Sequence, residues 1–198
     1  MPDFRINICQ EDEAPVTGKV TEEKSKVTPL VRKAIGGDTE AFGELYSVFA
    51  VRIYRYVFYQ VRNKMIAEDL TEEVFVKAWR AIDSCRGKET TFSPWLFRIA
   101  HNHVIDSLRR SRNNVSVEVE NLPERSDPTT RAEGELERRE LIKLVARLPE
   151  KQRQVVILKF IEGLNNHEIS RILGKGEGAI RILQMRALSL LREWLTEE

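Results

Sequence analysis

Three groups of side chains have residue types and spacings that could do chemistry. The first is the run Phe92-Ser-Pro-Trp95-Leu-Phe97-Arg98, which leads into His101-Asn102-His103 and then Asp106, Arg109 and Arg110. Rings with interleaved bases suit single-stranded nucleic acid, because bases stack on the rings while cationic groups hold the backbone. An extruded base also needs a donor such as Asn102 along its edge. On a helix Arg98, Asn102, Ile105 and Arg109 share one face. Beside this stands a plainer reading, a core Trp95 and Phe97 beneath a solvated basic face.

The second group closes the chain. Asn165-Asn166-His167-Glu168 resembles a capping box with Glu168 at the third helical position. A short helix carrying Ile169, Ile172 and Leu173 follows, then the turn Gly174-Lys175-Gly176. A longer helix has Ile180, Leu183, Ala187, Leu191 and Trp194 inward. Short helix, glycine-bearing turn and longer helix make the helix-turn-helix pattern, for which a plain helical corner is the alternative. The second helix of such a unit enters the major groove. Lys175, Arg181, Gln184, Met185 and Arg186 are its candidate contacts: Arg181 for guanine or phosphate, Gln184 for adenine, Met185 for thymine methyls and Arg186 for phosphate.

The third group is acidic. Glu68, Asp69, Glu72 and Glu73 are expected in the first turns of a helix starting near Ala67, where they favour the helix dipole. They also form a ridge, with Phe75 and Trp79 nearby, able to dock a basic partner. No metal site is expected: His101 and His103 at i,i+2 point apart on a helix, and no fourth ligand is evident. No GxSxG, HExxH, phosphate loop or paired-carboxylate motif supports catalysis by Cys85, His101, His103 or Asp106, so no catalytic residue and no cofactor are expected.

The elements that must position these groups read as helices. In 198 residues, 32 Lys+Arg and 31 Asp+Glu leave a net charge of +1, yet the charge is segregated. Residues 1–27 sum to −2, 28–112 to +4, 113–137 to −5 and 138–198 to +4. The acidic stretch 113–137, with Pro123 and Pro128, reads as a linker, and 1–27 as a disordered extension. Helices are expected from Pro29 to Ile35, after an N-cap at Asp38, over Ala67–Ile82, and from an N-cap at Ser93 with Pro94 first in the helix. Asp83–Thr91 reads as a loop. In the second block, Arg138–Leu148 is one helix and Pro149 starts another, ended by Gly163. No stretch alternates long enough for a strand. The expected fold class is all-α: two small helical domains, 28–112 and 138–198, joined by an acidic linker, the second containing the helix-turn-helix. No apolar run is long enough to span a membrane, no signal peptide is evident, and two unpaired cysteines fit a reducing cytoplasm.

The order of these segments resembles the extracytoplasmic-function (ECF) group of bacterial RNA polymerase sigma factors. Leu45-Tyr46 through Tyr54-Arg55-Tyr56 is similar to that family's opening conserved region, and Ala67-Glu-Asp-Leu-Thr-Glu-Glu-Val-Phe-Val-Lys-Ala-Trp79 to its polymerase-docking helix. Trp95-Leu-Phe-Arg-Ile-Ala-His-Asn102, Asp106 and Leu108-Arg-Arg110 resemble its promoter-melting helix. Leu148-Pro-Glu-Lys-Gln-Arg153, Glu162-Gly-Leu164, Ile169–Leu173 and Gly176-Glu-Gly-Ala-Ile-Arg181 resemble its second domain. The resemblance implies that Asp69, Glu72, Glu73 and Phe75 meet the clamp helices of the largest polymerase subunit, and that the second domain meets the flap. It implies that Trp95, Arg98, His101, Asn102, Arg109 and Arg110 capture single-stranded bases of the −10 element. Lys175, Arg181, Gln184, Met185 and Arg186 would read the duplex −35 element. The linker would thread the polymerase cleft, and an anti-sigma factor is an implied partner. Three features depart from the family pattern: Glu72 stands where Gln is usual, His101 where Arg is common, and Ile182, Leu183 and Met185 at often polar positions.

A rival class is an autonomous helix-turn-helix regulator whose first block senses a ligand and which binds a palindrome as a dimer. The two classes differ in an observable way. With only +4 on each block, few phosphates can be neutralised, so the isolated chain is expected to bind duplex weakly and salt-sensitively. Anisotropy titration of a labelled duplex at two salt concentrations checks this, and tight operator binding by the chain alone would contradict it.

Overall fold

Helix signals in the chain are resolved by what each helix can bury. A computed structural model describes residues 17–112 and 143–196, and all regular structure among them is helical. The first helix, α1 (Thr17–Ile35), begins upstream of the expected start and carries Pro29 in its interior. Val27, Val31 and Ala34 are all buried. That stripe at i, i+4 and i+7 gives the segment an apolar face on both sides of the proline, and packing overrides the cost of the lost N–H. The expected disordered extension is therefore helical from Thr17 onward; residues 1–16 lie outside the described residues.

Asp38 caps α2 (Thr39–Val61), its carboxylate accepting from the N–H groups of Glu40 and Ala41 at 3.0 Å. Leu45, Phe49, Ile53, Tyr56 and Val57 are buried along it. Arg62 ends it in the left-handed region, at φ 54. Asn63 caps α3 (Lys64–Arg80), accepting from the Ile66 N–H at 2.9 Å. The expected loop 83–91 holds two short 3₁₀ turns, Ile82–Cys85 and Glu89–Thr91. The second runs directly into α4 (Phe92–Arg112), so Ser93 and Pro94 lie inside the helix rather than capping it. α2 packs against α1, α3 and α4, and Phe49 meets Phe92 edge-on at 5.4 Å.

After the linker, which lies outside the described residues, a helix over 143–147 (α5) leads through Pro149 to α6 (Glu150–Val156). A π-helical turn, Ile157–Ile161, continues it before Gly163, at φ 70, reverses the chain. Asn165 and Glu168 form the expected capping box at the start of α7 (Asn166–Leu173). Gly174, at φ 62, makes the turn to α8 (Glu177–Thr196) in a conformation that glycine adopts without strain. α6 and α7 pack on α8, burying Ile169, Ile172, Ile180, Ala187 and Leu191. α7 also packs on α4, so buried side chains run without a break from Val27 to Leu191. Replacing Asn165 by Ala removes the acceptor for the Glu168 N–H at 2.9 Å. It is expected to lower unfolding stability by about 1 kcal/mol, measurable by urea denaturation.

Candidate nucleic-acid and partner interfaces

The helix α3 buries Ala67, Leu70, Val74 and Ala78 and leaves Glu68, Asp69, Glu72 and Glu73 exposed. Asp69, Glu72, Glu73, Val76, Lys77 and Arg80 line one shallow concavity. Because α3 starts at Lys64, no acid stands in its first turn. The dipole account expected for these acids therefore does not hold, since that effect fades beyond a single turn. Phe75, expected with them, is 5% exposed and meets Tyr46 edge-on at 4.7 Å. It supports the ridge from beneath and offers no contact surface.

Glu73 has a different partner. His103 on α4 is buried, with its Nε2 2.6 Å from Glu73 Oε2 and its Nδ1 in contact with Lys77 Nζ. A neutral ring can accept from the Lys77 ammonium at Nδ1 while its Nε2 faces the Glu73 carboxylate. Burial first, and the Lys77 charge second, hold this imidazole below its ordinary range despite Glu73. The docking ridge and α4 are thus joined through one histidine.

α4 buries Phe92, Leu96, Phe97, Ala100 and Val104. Arg98, Asn102, Arg109 and Arg110 are exposed, and Arg98, Asn102 and Arg109 form one stripe along the helix. Trp95 is half-buried, stacked obliquely on Phe92 at 5.5 Å, with its Nε1 donating to Ser84 Oγ at 3.1 Å. His101 turns inward instead: its Nδ1 lies 3.0 Å from the hydroxyl of fully buried Tyr56. Burial lowers its pKa; Glu150 raises it and Lys175 lowers it further, both reaching it from the second half of the chain. His101 is therefore set apart from the exposed stripe with which it was grouped.

On α8, Arg181, Ile182, Met185 and Arg186 are exposed, while Gln184 and Leu183 are intermediate. Across the turn, His167 Nδ1 and Glu177 Oε1 are 3.0 Å apart, tying the start of α7 to the start of α8. Lys175 is half-buried in the turn.

Three residues escaped the sequence analysis as a group. The side chain of Glu162 has no exposed surface, and its carboxylate lies 3.1 Å from Arg52 Nε and 2.8 Å from an Arg55 guanidinium nitrogen. Arg52 also donates to the Glu162 carbonyl at 3.0 Å. Pairs about 110 positions apart leave no local signature, though Arg55 and Glu162 both fall within quoted motifs. Cys85 is buried, and burial pushes its thiol up to about 12, so at neutral pH it is a protonated core residue and a poor nucleophile. Among the described residues no His, Cys, Asp and Glu cluster is fit to hold a metal, and no helix is long and apolar enough to cross a membrane.

A helix with a basic exposed stripe and a half-buried tryptophan, braced by an acid-ridged neighbour and followed by a helix-turn-helix, is the arrangement of a DNA-associated helical protein. The chain matches the Sigma-70 region 2 family over residues 45–114 and the Sigma-70 region 4 family over 138–191. It is 36% identical over 185 residues to the ECF RNA polymerase sigma factor BldN of Streptomyces coelicolor, covering 89% of this chain and 68% of BldN. It shares its fold with CnrH in complex with the cytosolic domain of CnrY, at a TM-score of 0.65, 24% identity, and coverage of 87% of this chain and 98% of that one. It shares it equally with the sigma factor RpoE in complex with the anti-sigma factor NepR from Bartonella quintana, at a TM-score of 0.66, 22% identity, and coverage of 78% and 96%. The chain belongs to the ECF family of RNA polymerase sigma factors.

Both interior histidines are held below their ordinary value of 6.5. Below that value the unfolded chain binds more protons than the native one, so stability is full above about pH 6.5 and falls as the pH drops through it. The thermal midpoint of the wild type should therefore fall as the pH drops from about 7 to about 5.5, and the His101→Gln, His103→Gln double variant should show a flatter profile. Equal profiles would remove the two histidines as the cause.

Proposed function

We propose that residues 28–112 form the unit that docks on core polymerase and opens the −10 element, that 138–198 form the unit that reads the −35 element, and that 113–137 connect them through the polymerase cleft. The observation that carries this reading is the pairing of α3 with α4. One helix presents Asp69, Glu72 and Glu73 outward, its neighbour presents Arg98, Asn102 and Arg109 beside Trp95, and His103 links the two. A protein partner on one face and an unpaired strand on the other can then be held by a single rigid body. The acid ridge has the charge to meet basic clamp helices of the largest subunit. Trp95 offers a stacking platform, and Arg98, Arg109 and Arg110 offer phosphate contacts.

In the second unit, Arg181 and Arg186 stand exposed along α8 with Met185 between them, and Gln184 and Lys175 lie beside them. Arg181 and Gln184 are the proposed base readers, Met185 the contact to thymine methyls, and Arg186 and Lys175 the phosphate contacts. The role is one of recognition and strand capture, without catalysis or cofactor, carried out in the cytoplasm. A protein antagonist of the anti-sigma kind is the proposed regulator, as in the RpoE–NepR complex.

Reconstitution with core polymerase and a promoter library, reading start sites, tests the assignment. The wild-type chain should redirect initiation to a defined set of two-element promoters. Joint replacement of Asp69 and Glu72 by Ala, with Glu73 kept as the partner of His103, should abolish polymerase binding while leaving the fold intact by circular dichroism. Arg181→Ala should relax the preference at one −35 position by about 1–3 kcal/mol. A chain that joins polymerase yet leaves start sites unchanged would overturn the reading.

A further inference from the structure

The face of α8 that points away from the core is not the charged face of an ordinary surface helix. Ile180, Ala187 and Leu191 mark its buried side. At about 100° per residue, Gly178, Ile182, Met185 and Ser189 fall on the opposite side, and all four are exposed. Arg181 and Arg186, also exposed, stand on the two flanks of that strip. We propose that Ile182 and Met185 read the C5-methyl groups of two neighbouring thymines in the −35 duplex, so that the centre of this element is discriminated by methyl contact rather than by hydrogen bonding. The inference rests on the −35 assignment made above and says by what chemistry it is executed.

Composition supplies the first reason. Charged residues make up 32% of the chain, and the solvent face of a surface helix normally carries them. Here the strip furthest from the core carries no charge, and its two large side chains are apolar, Ile182 at 48% and Met185 at 64% exposed. An apolar centre between two cations complements a major groove, whose floor is made of base edges and whose walls are phosphate. Gln184 is half-buried and lies nearer the core side of α8, so it reaches such a groove from its edge.

Chemistry and spacing supply the second. Among the groups on the floor of the major groove, the C5-methyl of thymine is the apolar one. An isoleucine side chain has no hydrogen-bonding atom and a methionine thioether is only a weak acceptor, so neither suits the polar edges of the other bases. Ile182 and Met185 are three residues apart, about 4.5 Å along the helix axis. Successive bases of one strand are about 3.4 Å apart. Each side chain can therefore face a base of its own.

The third reason is Gly178, one turn before Ile182 on the same strip. A glycine within a helix costs stability relative to alanine. Nothing in the fold asks for it here: the backbone is helical, and a Cβ at this position would meet nothing within 4 Å. What the missing side chain does provide is a close approach of the α8 backbone to whatever the strip faces. A short apolar contact at the bottom of a groove needs that approach.

Deoxyuridine isolates the methyl group, because it keeps every hydrogen-bonding atom of thymine and lacks only that carbon. The test uses the full chain with core polymerase on a two-element promoter taken from the library selection, with the thymines of its −35 element replaced one at a time by deoxyuridine. At two neighbouring positions, half-maximal run-off should need about fourfold more protein, the worth of one buried methyl. Ile182→Ser and Met185→Ser should each weaken run-off from the thymine template by a similar factor, with unchanged helical circular dichroism. Each variant should be blind to deoxyuridine at its own position and still sensitive at the other, whereas Arg181→Ala should stay sensitive at both. Run-off indifferent to deoxyuridine throughout the −35 element would overturn the proposal, as would variants as sensitive as the wild type. So would variants that lose core polymerase in the absence of promoter, since the pair would then be a protein contact. All three outcomes leave start-site selection standing. A chain that selects no start site even on the thymine template fails at the −35 assignment itself, and the methyl reading falls with it.

Discussion

A charge with nowhere to go organises this molecule. Glu162 sits at the end of a π-helical turn, its side chain wholly covered, and only the guanidinium groups of Arg52 and Arg55 make that position bearable. Those groups belong to α2, the helix around which the first domain packs. Arg52 rests on Phe49 and Phe97, Phe97 meets Tyr56 edge-on at 5.7 Å, and Tyr56 reaches His101 on α4. The ionic contact of Glu162 with α2 is thereby wired into the aromatic core that sets the position of α4.

The same core explains why α4 has two unlike faces. Leu96, Ala100 and Val104 hold it against α2 and α3, and His103 plugs into the base of the acid ridge. Arg98, Asn102, Asp106, Arg109 and Arg110 stay exposed to solvent. Nothing in that arrangement needs a high net charge.

Charged side chains of opposite sign also stand on different elements. Asp69, Glu72 and Glu73 of α3 line a concavity, whereas Arg181 and Arg186 stand exposed on α8. Within the helix-turn-helix, the His167–Glu177 contact and the glycine at φ 62 set the angle between the two helices from residues close in sequence. This unit is the most locally determined part of the structure.

Local determinants were therefore legible in the residues alone: the Asp38 cap, the Asn165–Glu168 box, the Gly174 turn and the buried faces of α2, α4 and α8, because each rests on contacts within a few positions. Helix starts were less so. α1 runs back through Pro29 because Val27 and Val31 find a partner surface on α2, and α3 begins at Lys64, capped by Asn63, rather than near Ala67. Which exposed-looking residues are truly available was decided only by packing. Phe75 went inward beneath Tyr46, His101 turned toward Tyr56, and His103 took Glu73 and Lys77 as partners. The pairing of Arg52 and Arg55 with Glu162 has no periodic trace in the chain, since it joins positions 110 and 107 residues apart that only the tertiary packing brings together.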